Sequence, residues 1–397
     1  MFANKITLSL FKSWKIVIKI SITLIIFITI LSAAACGFLK NNAKTPSASQ
    51  TQTEAVFKVD KNGFFTRLNE NGDRVTYVVK SVAWNVPNDY NGDVFGYYES
   101  YHKTISYLKE LNANAARAYR LPIDFESVIY DERDGHYNIR EVTLNWENTE
   151  EMLKAFAKAK IGIQAGLCSW DIQPVKITDE KGNVEYTTLA EAFIKRFDSK
   201  TNSLGVVLMY LTGNEFNYHF QDVIAFPDTG VDIFQGDKWF TRDAWLGDLK
   251  KVVDIVRSLS KTPVGTVHGE VPLEADAVEY VKLELDAVLL NIYRKGSDYD
   301  AIDQTRTVFK KIGGKMPYIS FGEIGGNPYD VELAHAHADI FKKYPETGGS
   351  YFALYHKYDT DFNEDSGLID TDGNKTPIFA IIQSAFKEMP ASLTYNK

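Results

Sequence analysis

Two glutamates carry the chemistry open to this chain. Glu215 lies at the end of Leu211-Thr212-Gly213-Asn214-Glu215-Phe216-Asn217, and Glu323 at the end of Tyr318-Ile319-Ser320-Phe321-Gly322-Glu323. Each follows a short apolar run, where a strand would deliver it to a site. They stand 108 residues apart, about three strand–helix repeats of an alternating chain. Two carboxyl groups at matching strand ends are the equipment for splitting a glycosidic bond, one as acid/base and one as nucleophile or base. Retention of configuration requires them about 5 to 5.5 Å apart, and inversion about 6.5 to 9.5 Å.

The elements that must position them are legible as alternation. Apolar runs ending in polar residues occur at Val78–Trp84, Ala115–Tyr119, Gly162–Leu167, Gly205–Leu211, Pro263–Val267, Ala287–Ile292, Pro317–Phe321 and Tyr351–Tyr355. Helical spacing lies between them. Leu246, Leu249, Val252, Val253, Val256 and Leu259 form one stripe, and Met152, Leu153, Phe156 and Ala157 another. Asn-Gly turns at Asn62-Gly63 and Asn71-Gly72 predict a hairpin ahead of the first run. The fold class predicted is α/β, a single (β/α)8 barrel with an N-terminal β-hairpin. An open doubly wound sheet is the rival, weakened because no Gly-rich phosphate loop follows the first strand. In a barrel the C-terminal strand ends build the site. They would supply Trp84 and Asn85, Arg117 and Tyr119, Trp170, Asn214 with Glu215, His268, Tyr293, Glu323 and Tyr355. Aromatic faces stack on pyranose rings, and amides and arginine bond hydroxyls.

These residues resemble the clan A glycoside hydrolases. The Asn214-Glu215 pair on a fourth strand, Glu323 on a seventh, Arg117 on a second and Tyr293 on a sixth match that clan's pattern. Within it, Phe57-Lys58-Val59 through Val79-Lys80-Ser81-Val82-Ala83-Trp84, Leu208–Glu215, Pro317–Glu323 and Tyr355 are most similar to family 72, the β-1,3-glucanosyltransferases, over roughly residues 56 to 385. Gly322 stands where a serine is frequent in that family. The resemblance implies a retaining double displacement, with Glu323 as nucleophile and Glu215 as acid/base. Asn214 would bond the 2-hydroxyl, and Arg117 and Tyr293 would keep Glu323 ionised. Asn85, Tyr119, Trp84, Trp170 and Tyr355 would line the substrate. The substrate implied is a β-glucan, β-1,3-glucan first. A mannan, a β-galactoside and a non-catalytic carbohydrate-binding role are the alternatives.

The N-terminus carries Lys5, Lys12, Lys15 and Lys19, then the apolar Ile20–Leu31, then Ser32-Ala33-Ala34-Ala35-Cys36-Gly37. A basic head, a short apolar core and small residues before a cysteine predict a lipoprotein-type signal over 1–35, with Cys36 lipidated. The apolar core falls short of the roughly 20 residues of a bilayer span. Residues 36–55 are rich in Ser, Thr, Ala, Gln and Asn and predict a flexible tether. The catalytic domain would occupy 56–390 and a tail 391–397, on a protein exported to the cell envelope and held at a bacterial membrane. The formal charge is −8, and loss of the four leader lysines takes it to −12. That acidity argues against nucleic acid or anionic lipid as a partner.

Cys168 lies in an apolar run and reads as a small core residue. His219, His268 and His356 lack ligand spacing, and His335 and His337 are an i, i+2 pair facing different ways on a helix. No metal or cofactor is expected. Trp239, in a polar loop after the fourth strand, reads as a possible subsite platform.

Overall fold

The computed structural model describes residues 54–86, 96–133, 136–219, 241–293, 300–359, 364–390 and 392–393. The signal segment, Cys36, the tether up to residue 53 and Trp239 lie outside the described residues.

Eight parallel strands close a barrel: β1 (Lys80–Trp84), β2 (Ala115–Ala118), β3 (Gly162–Leu167), β4 (Val207–Thr212), β5 (Val264–Gly269), β6 (Ala287–Asn291), β7 (Tyr318–Gly325) and β8 (Gly349–Phe352). A helix follows each in turn: α1 (Tyr97–Glu110), α2 (Trp146–Lys158), α3 (Leu189–Phe197), α4 (Arg242–Leu259), α5 (Glu274–Lys282), α6 (Ala301–Ile312), α7 (Val331–Lys343) and α8 (Phe379–Glu388). The order around the barrel follows the sequence, and β8 pairs with β1 to close it. The chain is the (β/α)8 barrel that the alternation of apolar runs predicts.

Local chemistry explains the helix boundaries. Asn145, Thr188, Thr241 and Asp330 each accept a backbone N–H three residues on, satisfying donors that a helix start leaves open. The apolar stripe of α4 buries Leu249, Val252, Val253 and Val256 against the barrel wall. Inside the barrel the residues are small or polar where they must fit. Ser350 donates to Gln164, whose amide reaches the Met209 sulfur, and Thr266 donates to the Thr212 carbonyl.

The N-terminal hairpin grows into a small antiparallel sheet, Phe57–Val59, Phe65–Leu68 and Arg74–Tyr77, with Ser392–Leu393 as its fourth strand. Those last two residues belong to the segment that the sequence reads as a tail. The sheet plugs the floor of the barrel: Phe65 packs on Phe57, Tyr77 and Tyr318 and shares a core with Ala115, Leu208 and Ala287.

The other end carries a second sheet that periodicity did not reveal. Asp124–Arg133 pairs with His136–Asn145 in the connection after β2, and Pro174–Thr178 pairs with Val184–Thr188 after β3. The two hairpins join through parallel pairing of Glu141–Thr143 with Lys176–Thr178. Both are β-to-α connections, so they rise on the side where the strands end. The run Asp-Phe-Glu-Ser-Val-Ile-Tyr-Asp-Glu-Arg has too much charge to stand out as a buried strand.

Candidate active site

β4 ends in a tight turn. Gly213 has φ +73°, and a Cβ there would meet the Phe216 ring at 2.8 Å, so the turn requires glycine. Glu215 itself has φ +59°, a left-handed conformation costing a non-glycine residue roughly 1–2 kcal/mol. The buried Asn217 holds this turn in place: its amide donates to the Gly269 carbonyl at 2.9 Å and accepts the Gly269 N–H at 2.8 Å. The strain is thus fixed by a clamp to β5, and it aims Glu215 across the barrel mouth.

Glu323 reaches the mouth through a β-bulge. Leu290 pairs with Phe321, but the next residue, Asn291, pairs with Glu323. Gly322 is the extra residue, and such an insertion re-aims the side chain beside it. The bulge also frees the Gly322 carbonyl, which accepts from Arg117 Nη1 at 2.8 Å. A Cβ at Gly322 would lie 2.6 Å from Asn291 Oδ1.

Arg117 organises the centre from β2. Its Nη1 also donates to Glu323 Oε1 at 2.6 Å, and its Nη2 donates to Asn214 Oδ1 at 2.7 Å. The Tyr293 hydroxyl donates to Glu323 Oε2. Both oxygens of the buried Glu323 are therefore engaged by donors, one of them cationic. Asn291 Nδ2 donates to Asn214 Oδ1 at 3.0 Å. Oδ1 of Asn214 is thus occupied twice, and its Nδ2 makes no hydrogen bond among the described residues. Arg117 also lies 4.9 Å from the Tyr119 ring centroid. The Tyr119 hydroxyl is buried close to Glu323. Burial first, then the Glu323 charge, holds that phenol far above its ordinary range. Tyr293 is raised in the same way by burial and Glu323.

Glu215 stands in the opposite environment. Burial, and next the Glu323 charge, push its carboxyl up to about 8; a hydrogen bond from Asn291 and the charge of Arg117 pull the other way. The mouth therefore holds one carboxyl pushed toward its protonated form and one whose two oxygens both accept from donors, the division of roles that acid and nucleophile need.

The structure brings together Glu215, Glu323, Asn214, Arg117, Tyr119 and Tyr293. It puts four other sequence-predicted site residues elsewhere. Trp84 is fully buried, packed on Tyr97 and Phe156 with its indole N–H on Ser100; the pleat of β1 turns it outward to the helices and Ala83 inward. Tyr355 sends its hydroxyl to Thr104 on α1. β8 ends at Phe352, earlier than the apolar run suggests, so Tyr355 falls beyond it. Asn85 spends its amide on Tyr355, donating to its carbonyl and accepting its N–H. His268 likewise faces away, with Nδ1 at the Gly269 carbonyl and Nε2 3.6 Å from Asp276. Trp170 sits in the turn after β3 with the Arg120 guanidinium 4.0 Å over its ring.

Three neighbours were missed. Phe352 meets Tyr293 edge-on at 5.8 Å and forms an apolar cluster with Ala83, Tyr119 and Tyr293. Asn291 is an amide inside an apolar run, two residues before Tyr293 and hence on its face of the strand; that spacing was the available signal. Glu270, whose charge adds to the upward push on Glu215, follows Gly269 with φ +65°, and no sequence signal marks it.

No protein-family model matches the chain, and no curated protein matches its sequence. Solved structures do match its fold. The GH2 β-galacturonidase of Eisenbergiella tayi bound to glycerol aligns over 86% of this chain and 55% of its own, at 10% identity and a TM-score of 0.54. β-Glucuronidase 2 of Bacteroides uniformis, covalently bound to cyclophellitol-6-carboxylate aziridine, aligns over 84% and 37%, at 12% identity and a TM-score of 0.52. ScGas2 in complex with compound 8 aligns over 85% and 69%, at 16% identity and a TM-score of 0.50. The chain thus spans about half the length of the β-galacturonidase it matches. At these identities the likeness is one of fold.

Proposed function

We propose that the protein is a retaining β-glycosidase or transglycosidase. The observation that carries this is the pair of carboxyls in one barrel mouth, the buried Glu323 held by Arg117 and Tyr293 and the half-buried Glu215 pushed up to about 8. The shared fold with a β-galacturonidase and a β-glucuronidase, both carbohydrate-active, is in keeping with that class.

In the first step Glu323 attacks the anomeric carbon as the bond to the leaving oxygen breaks, and Glu215 gives that oxygen its proton. Forming the ester removes the Glu323 charge, the second largest cause of the raised Glu215 value. Glu215, now ionised and easier to keep so, takes a proton from the arriving water or sugar hydroxyl, which displaces Glu323. The open Nδ2 of Asn214 suits a 2-hydroxyl, a contact that strengthens in an oxocarbenium-like transition state. The resemblance to family 72 favours β-1,3-glucan. With the lipobox-like Ala34-Ala35-Cys36, we further propose an enzyme exported and tethered at a bacterial membrane.

The test is product analysis with laminari-oligosaccharides and a panel of other β-linked oligosaccharides, beside Glu215→Gln and Glu323→Gln. Longer and shorter β-1,3 products, lost in either variant, support the glucanosyltransferase form. Cleavage of a mannan or β-galactoside alone keeps the mechanism and changes the substrate. Binding without turnover makes the barrel a carbohydrate-binding protein.

A further inference from the structure

Arg120, like Arg67 over Tyr77, lies on an aromatic ring instead of pairing with a carboxylate, and it does so on the rim where the barrel strands end. Arg74, Arg117, Arg196, Arg242 and Arg306 each reach a carboxylate within 3.1 Å. Arg120 makes no ion pair or hydrogen bond among the described residues and lies instead over the Trp170 ring, 4.0 Å from its centroid. Asp171 feels its charge, but that carboxylate is buried and its Oδ2 accepts the Cys168 N–H at 2.7 Å.

The location is built. Gly166 on β3 allows the chain leaving β2 to cross closely, since a Cβ there would lie 2.1 Å from the Tyr119 carbonyl oxygen. The Tyr119 N–H is pinned by the Tyr97 hydroxyl at 3.1 Å. This crossing puts Tyr119 beside the two glutamates and carries the next residue to Trp170, on the same rim of the barrel. A guanidinium stacked on an indole keeps its in-plane N–H fork open, and that fork matches a carboxylate or sulfate with two parallel bonds. The stacking also limits the rotamers the arginine must give up on binding.

We propose that Arg120, mounted on Trp170, forms a subsite for an oxyanion substituent of the sugar chain: the carboxylate of a uronic acid or the sulfate of an ester. The subsite deepens the carbohydrate reading above and rests on it. It makes the substrate an acidic β-linked saccharide, or a β-glucan carrying acidic residues beside the cleaved linkage.

The test is equilibrium titration of the full chain, in a Glu215→Gln background so that turnover does not disturb it. The probes are a neutral β-linked oligosaccharide, its C6-oxidised counterpart and its 6-sulfated counterpart. The acidic probes are expected to bind about ten-fold more tightly than the neutral one, the worth of one charge-assisted pair. Arg120→Ala should remove that preference and leave neutral binding within about two-fold. Arg120→Gln, which keeps a planar group on Trp170, should do the same and serves if the alanine variant melts early. A carboxylate preference identifies a uronic acid, and a sulfate preference an ester. Equal binding of neutral and acidic probes, or a preference that survives both substitutions, overturns the subsite. Turnover by the unsubstituted protein is scored separately. Turnover without acidic preference removes the subsite and keeps the catalytic assignment; acidic preference without turnover does the reverse.

Discussion

Two glutamates of one chemical type are driven apart by their neighbours, and the pH profile should report it. Glu215 must be protonated to act as acid, so kcat/KM should hold steady through neutral pH and fall as pH rises through about 8. Asn291 donates to the ionised form and pulls the value down. Asn291→Ala should therefore move the alkaline limb to higher pH, and an unmoved limb would contradict the assignment. Glu215→Gln should lower turnover about 10²–10⁴-fold. Arg117→Met would leave the buried Glu323 without its cationic partner, a loss of about 3–5 kcal/mol readable as a fall in denaturant midpoint. At this scale the sequence exposed the groups that end apolar runs: Glu215, Glu323, Arg117 and Tyr293. It misled where one residue of register decides the direction of a side chain. Trp84 is polar-tipped and at a strand end, yet the pleat sends it to the helices; Asn85 is consumed by the Tyr355 backbone.

Among the elements, β7 is the strand on which the site depends. Its bulge at Gly322 turns Glu323 inward and offers Arg117 a carbonyl, and the space a side chain would need is filled by Asn291 Oδ1. The glycine on β7 thus goes with the amide on β6. Gly322→Ala is expected to cost about 1–3 kcal/mol through overpacking and to depress activity. Asn291→Gly in the same chain should recover much of the stability, and thermal melts of the single and double variants would check it. The runs that became barrel strands were legible because strands buried on both sides read as unbroken apolar stretches. The hairpins after β2 and β3 were not, because their outer faces are wet: Ile129, Val184 and Tyr186 are exposed and their neighbours charged.

Across the whole molecule, the barrel is closed at its floor by the N-terminal sheet and tied to its last helix by a buried lysine. Lys80 on β1 donates to the carbonyls of Phe386 and Met389, which the end of α8 leaves open. The segment read from sequence as a tail contributes Ser392–Leu393 to the floor, a pairing too short to leave a periodic signal. His337, buried on α7 beside Tyr351 with neither ring nitrogen partnered among the described residues, predicts a source of acid sensitivity. Burial pushes it from 6.5 to about 4. The folded chain refuses a proton that the unfolded chain accepts, so stability is full above about 6.5 and declines as pH falls to about 4. The loss should approach roughly 3 kcal/mol. His337→Leu should flatten the fall of Tm over that range, and an unchanged slope would assign the sensitivity elsewhere.

The central claim is that Glu323 forms a covalent bond to sugar while Glu215 handles the proton. The most direct measurement is mass spectrometry of the protein after exposure to a panel of 2-deoxy-2-fluoro β-glycosides, which slow the breakdown of a glycosyl-enzyme. The account predicts a single adduct on the peptide containing Glu323, absent in Glu323→Gln and still formed from an activated donor in Glu215→Gln. An adduct on another residue, or turnover of a β-linked substrate with inversion of its anomeric configuration, would contradict it.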